Sequence, residues 1–394
     1  MYNTFDTFRP HFEALARAGY FKIVTRQSRT LGMYLHNFYR ILIWTAVLIY
    51  NLQHIIRALQ VRQCTEQLVD TLFILLTTLN SLGKQIAFNV RVDRIDKIIG
   101  IINDEIFAPK RPYHEHVMKI NATSMRRLLF MHHISICFCG FLFIMYPLVN
   151  KALNKPVFLS GYFPFNTNDS PAFELTVTFM GLILTLQAYG HVTMDCTIVS
   201  FYAQAKTQLH ILRYNLEHLN NVLKLKNRKS FYIDEDRKCK KIIHKNFVDC
   251  VKHHGEIVWL VKEIESIFGE ATIVQLVVML WVICMTVYKI VGLDILSAEF
   301  LTMGTYLCCM MTQLYIYCYY GTQLKVESEL VNDSVYQSSW LSLSPAFRRG
   351  LLVMMERCKR SIEPRTAYII PLSMETYISV LRSSYTLFTI LDRK

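Results

Sequence analysis

"LLFMHHISICFCGFLFIMYPLV", Leu128 to Val149, and "TIVQLVVMLWVICMTV", Thr272 to Val287, decide the fold class. A helix rises ~1.5 Å per residue, so ~20 mostly apolar residues cross the ~30 Å hydrocarbon core of a bilayer. Only a helix or a closed barrel satisfies its backbone there. The first run is impure, with His132, His133 and Ser135 inside it. Impurity of that kind points to helices that shield one another. Working outward, five further segments reach spanning length, which gives candidates at 39–59, 68–90, 128–149, 172–203, 267–293, 296–320 and 367–391. The whole chain agrees: 52% of its 394 residues are hydrophobic and the mean hydropathy is +0.24, too apolar for an ordinary soluble protein. The expected fold is an all-α membrane protein of seven transmembrane helices, a single domain over 1–394.

Orientation is read from the basic residues. Of 43 Lys and Arg, 13 lie between the fourth and fifth spans, and most of the others lie in the amino-terminal segment and in the loops joining spans two to three and six to seven. The positive-inside rule then places the amino terminus and these three loops in the cytosol and the carboxyl terminus outside. Met1 to Arg40 contains six basic residues and no compact apolar core with a small-residue cleavage site, so no signal peptide is expected. Among eleven cysteines only Cys64 falls near an outer loop, which leaves no extracellular pair. Asn168, in "NDS", is the sequon expected outside and is the glycosylation candidate; Asn121 and Asn332 fall inside. The net charge of +13 is read as orientation, with no nucleic-acid partner expected.

The long cytosolic loops carry amphipathic helices that run out of the spans. Leu209, Leu212, Leu216, Leu219 and Leu223 recur at spacings of three and four, and Phe247 to Phe268 does the same before entering the fifth span. Ser344 and Pro345 read as the cap and first residue of a third helix. Regions 205–266 and 321–366 are therefore expected to form cytosolic anchor and assembly regions against membrane lipid or one another.

No phosphate loop, dinucleotide fingerprint, zinc-protease or calcium-loop motif occurs, and neither a cofactor nor a metal is expected. Cys137 with Cys139, and Cys308 with Cys309, lack histidine partners at zinc spacing. His191 and Asp195 stand four apart on one face of the fourth span, where ionisable residues face the protein interior. They fit a structural hydrogen-bonded pair; a proton relay or an enzyme or transporter dyad is the competing reading.

"GYFPFNTNDSPAFEL" (161–175), "VTMDCTIVSFYAQAKTQLHILRYNLEHL" (192–219), "CVKHHGEIVWLVKEIESIFGEATIVQLVVMLWVIC" (250–284) and "VYQSSWLSLSPAFRRGLLVMMERCKRSIEP" (335–364) resemble, in order and spacing, the insect odorant receptors. Asp195, His254, Tyr336, Trp340 and Ser384-Tyr385-Thr386 match residue types of that family. The residues after Tyr385 depart from the ending of the related gustatory receptors, and the loop between spans four and five is shorter than in the family's co-receptor. The resemblance implies a ligand-tuning subunit of a ligand-gated, non-selective cation channel, a heterotetramer with an odorant co-receptor subunit, in the plasma membrane of sensory neurons. A receptor that couples to G proteins, which needs the opposite orientation, and the enzyme or transporter stand as alternatives.

On a helical wheel of the last span, Thr376, Ser379, Ser383, Thr386, Ile390 and Arg393 fall along one polar stripe, with Met374, Tyr377, Ile378, Leu381, Tyr385 and Phe388 opposite. Such a stripe packs against neighbours or lines water; the resemblance implies pore lining for permeant cations, with Ile390 as the gate. A small volatile odorant calls for an apolar, aromatic cavity with few polar groups. Phe138, Phe141, Leu142 and Met145 of the third span are the candidates for one wall. Phe73 and Thr77, Met180 and Leu184, and Phe300 and Met303 are those for the facing walls.

Overall fold

The computed structural model describes residues 4–22, 30–155, 157–167, 169–219, 237–295, 297–338 and 340–392. Among the described residues ten α-helices form: α1 (Arg9–Arg17), α2 (Thr30–Gln60), α3 (Thr65–Val90), α4 (Val92–Ile102), α5 (Pro112–Ala152), α6 (Ala172–Glu217), α7 (Arg237–Val291), α8 (Ala298–Gln337), α9 (Pro345–Cys358) and α10 (Met374–Asp392). The seven expected spans fall on α2, α3, α5, α6, α7, α8 and α10. Among the described residues, Leu31–Gln60, Pro112–Ala152, Ala172–Glu217 and Arg237–Val291 are long and apolar enough to cross a membrane by their own composition. α3, α8 and α10 are more polar, and the polar groups of α3 and α8 turn inward. Asn168 and Arg393 lie outside the described residues, as do Leu223 and the charged run around it.

Helix length explains the architecture. At 41, 46, 55 and 40 residues, α5 to α8 run for some 60–80 Å, about twice a bilayer core. The end holding the C-terminus of α5 and the N-terminus of α6 is termed upper, and the opposite end lower. The lower halves of α6, α7 and α8 gather with α9 into the main hydrophobic core, which holds Leu209, Leu212, Leu216, Ile257, Ile264, Leu324, Val331 and Leu351. Leu209, Leu212, Leu216 and Leu219, the sticky face read from the sequence, are all buried there. Charged pairs bind its rim: Arg213 Nη1 to Glu327 Oε1 at 2.6 Å, Arg94 Nε to Glu263 Oε1 at 2.8 Å and Lys325 Nζ to Glu363 Oε1 at 2.9 Å.

The amino-terminal segment is part of that core. Phe8, Phe12 and Leu15, at helical spacing, are buried, and Phe8 lies 5.0 Å from the Phe201 ring of α6. α1 ends at Gly19, whose φ of +75° is a left-handed conformation that glycine adopts without strain. Above this level the upper helices form a looser bundle. α2 exposes Leu35, Phe38, Leu42 and Ile49 along its outer side, as a lipid-facing helix does, and buries Val47, Tyr50, Asn51 and His54. At the crossing of α5 and α6, a side chain at Gly140 would collide with Thr185 and one at Gly181 with Ile144, so these glycines set how closely the two helices approach.

The last span begins later than 367. Arg365–Thr366 and Ile370–Pro371 pair as a two-stranded antiparallel hairpin, and α10 starts at Met374. Pro364 and Pro371 bracket the hairpin, and Ala367 and Tyr368 at its turn take φ of +46° and +61°, outside the helical region. Val380, Met374, Tyr377 and Leu381 of α10 pack on Leu276, Met279 and Ile283 of α7 and on Leu314 and Cys318 of α8.

Candidate ligand cavities and pore helix

Two adjoining cavities open inside the upper bundle. The upper one, about 250 Å³, is lined by Phe73, Tyr146, Met180, Thr302 and Met303, beneath residues 157–160. The deeper one, about 350 Å³, is lined by Thr77, Ile136, Cys139, Gly140, Tyr306 and Met310, among others. Both touch Phe143 and Leu184. Tyr306 forms part of the partition: its ring lies 4.8 Å from that of Phe73 and 6.1 Å, edge on, from that of Phe143, and its hydroxyl stands 3.2 Å from Thr77 Oγ1. The deeper cavity presents a mostly apolar surface with several polar groups set into its wall, and the upper one also carries Asp70, Lys289 and Glu299; enclosing a few hundred cubic ångströms, they suit a small, mostly apolar molecule.

Of the residues expected from sequence, Phe73, Met180 and Met303 meet in the upper cavity, Thr77 in the deeper one, and Leu184 in both. Phe138, Phe141, Leu142 and Met145 line neither. Phe138 and Phe141 are 50% and 57% exposed, and the nearest α5 residues that reach the deeper cavity, Ile136, Cys139, Gly140 and Phe143, lie about two positions away, on the opposite side of the helix. The physical reason is that lipid rewards an apolar face as ligand does; the greasiest face of α5 turns to the bilayer and the mixed face turns inward. Phe300 also lines neither cavity; its neighbours Glu299 and Thr302 do. Tyr306 and Cys309 were missed, since an isolated tyrosine or thiol in an apolar run carries no signal of its own. Cys309 stands 3.1 Å from Ser135 Oγ across α5 and α8.

Below the deeper cavity is a buried ionic cluster. Asp195 of α6 is fully buried, and its carboxylate accepts from Lys84 of α3, from Tyr317 Oη at 2.7 Å, from Gln275 Nε2 at 3.1 Å and from Gln313. His191 Nε2 stands 3.5 Å from the same carboxylate. The sequence pair His191 and Asp195 is therefore part of a structural network that ties α3, α6, α7 and α8 together. A carboxylate that accepts from four donors, one of them cationic, has its lone pairs engaged in holding the helices together.

The cluster adjoins the packing of α10. Gln275 is next to Leu276, Gln313 next to Leu314 and Tyr317 next to Cys318, the residues on which α10 rests. Met310 lines the deeper cavity and packs with the α10 cluster. On α10, Ser379, Ser383, Thr386 and Ile390 lie on the exposed side with Glu375 and Arg382, and Ile390 is 56% exposed. Thr376 is half-buried and donates its hydroxyl to the carbonyl of Pro371 at 2.6 Å, while Ser373 Oγ accepts from Thr376 N at 3.3 Å and caps the helix start. Ser384, on the packed side, donates to Leu280 O at 3.2 Å.

Comparisons with known proteins agree with this architecture. A family model described as "7tm Odorant receptor" matches residues 65–385. Odorant receptor 46a, isoform A, of Drosophila melanogaster is 23% identical over 350 residues, covering 88% of each chain. Odorant receptor Or1 of Anopheles gambiae is 19% identical over 343 residues, covering 82% of this chain and 81% of that one. The solved structure of the insect olfactory receptor OR5 from Machilis hrabei in complex with eugenol superposes with a TM-score of 0.83 at 14% identity, over 98% of this chain and 97% of that one. These relatives are receptors and not enzymes. A bundle of seven long membrane helices with upper cavities and a shared lower core, matched over 321 residues by the family model, shows that this chain belongs to the 7tm odorant receptor family.

Proposed function

We propose that the chain is the ligand-tuning subunit of an odorant-gated, non-selective cation channel, assembled with a co-receptor subunit as a heterotetramer in the plasma membrane of sensory neurons. The observation that carries this reading is the unpacked polar side of α10. Glu375, Ser379, Arg382, Ser383 and Thr386 are exposed, with Ile378 and Tyr385 beside them, while Met374, Tyr377, Val380 and Leu381 of the same helix pack on α7 and α8. Ionisable and hydroxyl side chains are costly against lipid, so that side faces water or other subunits, as a pore wall does. With the basic loops in the cytosol, the upper end is extracellular, the cavities open in the outer half and the lower core forms the cytosolic anchor around 205–266 and 321–366, the part that holds subunits together.

A small, mostly apolar odorant, of the size of the eugenol bound by the Machilis hrabei receptor, fills the cavities. It opens the channel by binding the open packing of α8 and α10 more tightly than the closed one. Met310 and the residues beside the Asp195 cluster carry the change to α10. Ile390, the large apolar residue of the stripe, closes the pore by excluding water. The test is current recorded with and without the co-receptor. Odorant-evoked cation current is expected only from the pair, and Ile390→Ser in the pair should raise the ligand-free current several-fold. Full responses in cells lacking the co-receptor, or a basal current indifferent to Ile390→Ser, would sink the subunit reading or the gate respectively.

A further inference from the structure

The wall of the deeper cavity has almost no hydrogen-bond donors left to give. Thr77, Thr78, Thr185 and Thr312 each turn their hydroxyl proton to a carbonyl of their own helix, at 2.8, 3.0, 2.6 and 2.7 Å. With the Thr77 proton committed, the Tyr306 hydroxyl donates to Thr77 Oγ1. Ser81 donates to Gln187 O at 3.5 Å, and the Gln313 amide to Asp195. What these groups show the cavity is lone pairs.

Three further acceptors in the same wall are buried and without a partner among the described residues: Nε2 of His132, Oε1 of Gln187 and Nδ1 of His191. Their roles follow from their other contacts. His132 Nδ1 meets Leu128 O at 2.9 Å, which only an N–H can do, so Nε2 of the neutral ring accepts. His191 turns Nε2 to the Asp195 carboxylate at 3.5 Å, which leaves Nδ1 as the acceptor. Gln187 turns its Nε2 to Thr78 O at 3.5 Å, which leaves Oε1. Gln187 and His191 are 1% and 5% exposed, so solvent outside the cavity does not serve them. A buried acceptor without a donor costs free energy that a ligand donor recovers.

We infer that the deeper cavity is a subsite for a hydrogen-bond donor, and that the ligand class this receptor reads is a compact apolar molecule bearing a hydroxyl, an aliphatic alcohol or a phenol. The apolar body lies against Phe143, Ile136 and Leu184, and the hydroxyl reaches the acceptors of α5 and α6. Esters, ketones and ethers of the same skeleton bring only further acceptors. The inference rests on the reading of the cavities as the odorant site.

Matched pairs test it: 1-octanol against methyl octyl ether and 2-octanone, and 4-ethylphenol against 4-ethylanisole, applied to the chain co-expressed with its co-receptor. One recovered hydrogen bond corresponds to about a tenfold lower half-maximal concentration for the hydroxyl compound. Gln187→Leu, and separately His132→Phe on the facing helix, should bring the ratio within a pair toward one, with surface labelling of the co-expressed complex reporting that each variant folds. Equal potency within both pairs, or a preference that survives both substitutions, overturns the inference. If no compound evokes current, the channel reading is the part at fault. The subsite is then read on the purified full chain by the rise in melting temperature, larger for 1-octanol than for its ether in the wild type and equal in the two variants. Equal shifts in the wild type overturn the subsite as well.

Discussion

Lys84 and Asp195 are 1% and 0% exposed at their side chains, and each is the other's only opposite full charge within salt-bridge reach among the described residues. A buried pair of this kind adds little beyond what an apolar pair of the same shape would give, but removing one member strands the other and costs about 3–5 kcal/mol. Lys84→Met should therefore lower the melting temperature of the purified chain sharply, and adding Asp195→Asn should restore more than half of the loss, because an amide oxygen in the place of Oδ2 still accepts from Gln275 and Gln313 while the amide NH2 donates to the Tyr317 hydroxyl. A double variant no better than Lys84→Met would show that the charges are not paired. Sequence made half of this visible: the i, i+4 spacing put His191 and Asp195 together, but the lysine that neutralises them is 111 residues away on another helix. Long-range partners of that kind leave no local pattern. The same limit acted on α5, where apolarity chose the side that touches lipid over the side that touches the cavity.

At the scale of elements, two glycines shape the approach to the pore helix. A side chain at Gly321 of α8 would collide with the carbonyl of Leu372, and one at Gly269 of α7 would come within 2.8 Å of Ala367 N, so both helices are bare where the hairpin before α10 crosses them. A backbone carbonyl cannot move aside as a side chain can. Gly321→Ala should destabilise the purified chain by about 1–3 kcal/mol and change the ligand-free current by displacing Met374 and the start of α10. Gly304→Ala on the same helix, with open space at its Cβ, is the control and should be neutral or slightly stabilising. Equal melting temperatures for the two would remove the contact from the account. Helix existence was readable from periodicity, including the continuity of α7 from its amphipathic half into its apolar half. The hairpin was not: six of the seven residues 365–371 are of types that a helix tolerates, and the break comes from Pro371 and from packing against glycines on other helices.

For the molecule as a whole, the lower core carries a pH response. Burial, followed by the charge of Lys110, holds His253 down at about 3; burial and Arg111 hold His114 at about 4, and burial and Arg357 hold His254 at about 4. The unfolded chain takes these protons near pH 6.5, so between that value and about 4 it binds more of them than the folded chain does. Stability contributed by the neutral rings is complete above pH 6.5 and is lost as the pH falls, with a slope of up to about 1.4 kcal/mol per pH unit for a histidine as buried as His253. The melting temperature should fall between pH 7 and 5, and His253→Gln should flatten that fall. A flat profile in the wild type would contradict the buried neutral state. Glu327 is held low in spite of its burial by His210 and Arg213, so its contribution is lost only at more acid pH, outside this window. At this scale the sequence was most legible, because the count of apolar runs and the distribution of Lys and Arg are properties of the whole chain. What it concealed was that residues 4–21, read only as a basic leader to the first span, supply Phe8, Phe12, Leu15 and Phe21 to the central core.

The separation between that core and the cavities bears on how such receptors diversify. The residues that hold the fold together sit mostly in the lower half, whereas the cavities lie in a looser upper bundle whose walls share few residues with the core, Ile136 and Val192 among them. Substitutions in the cavity wall change what is detected at small expense to folding, and a lineage can therefore explore new chemistries with its scaffold intact. A fold kept at a TM-score of 0.83 with 14% identity is the outcome such an arrangement permits.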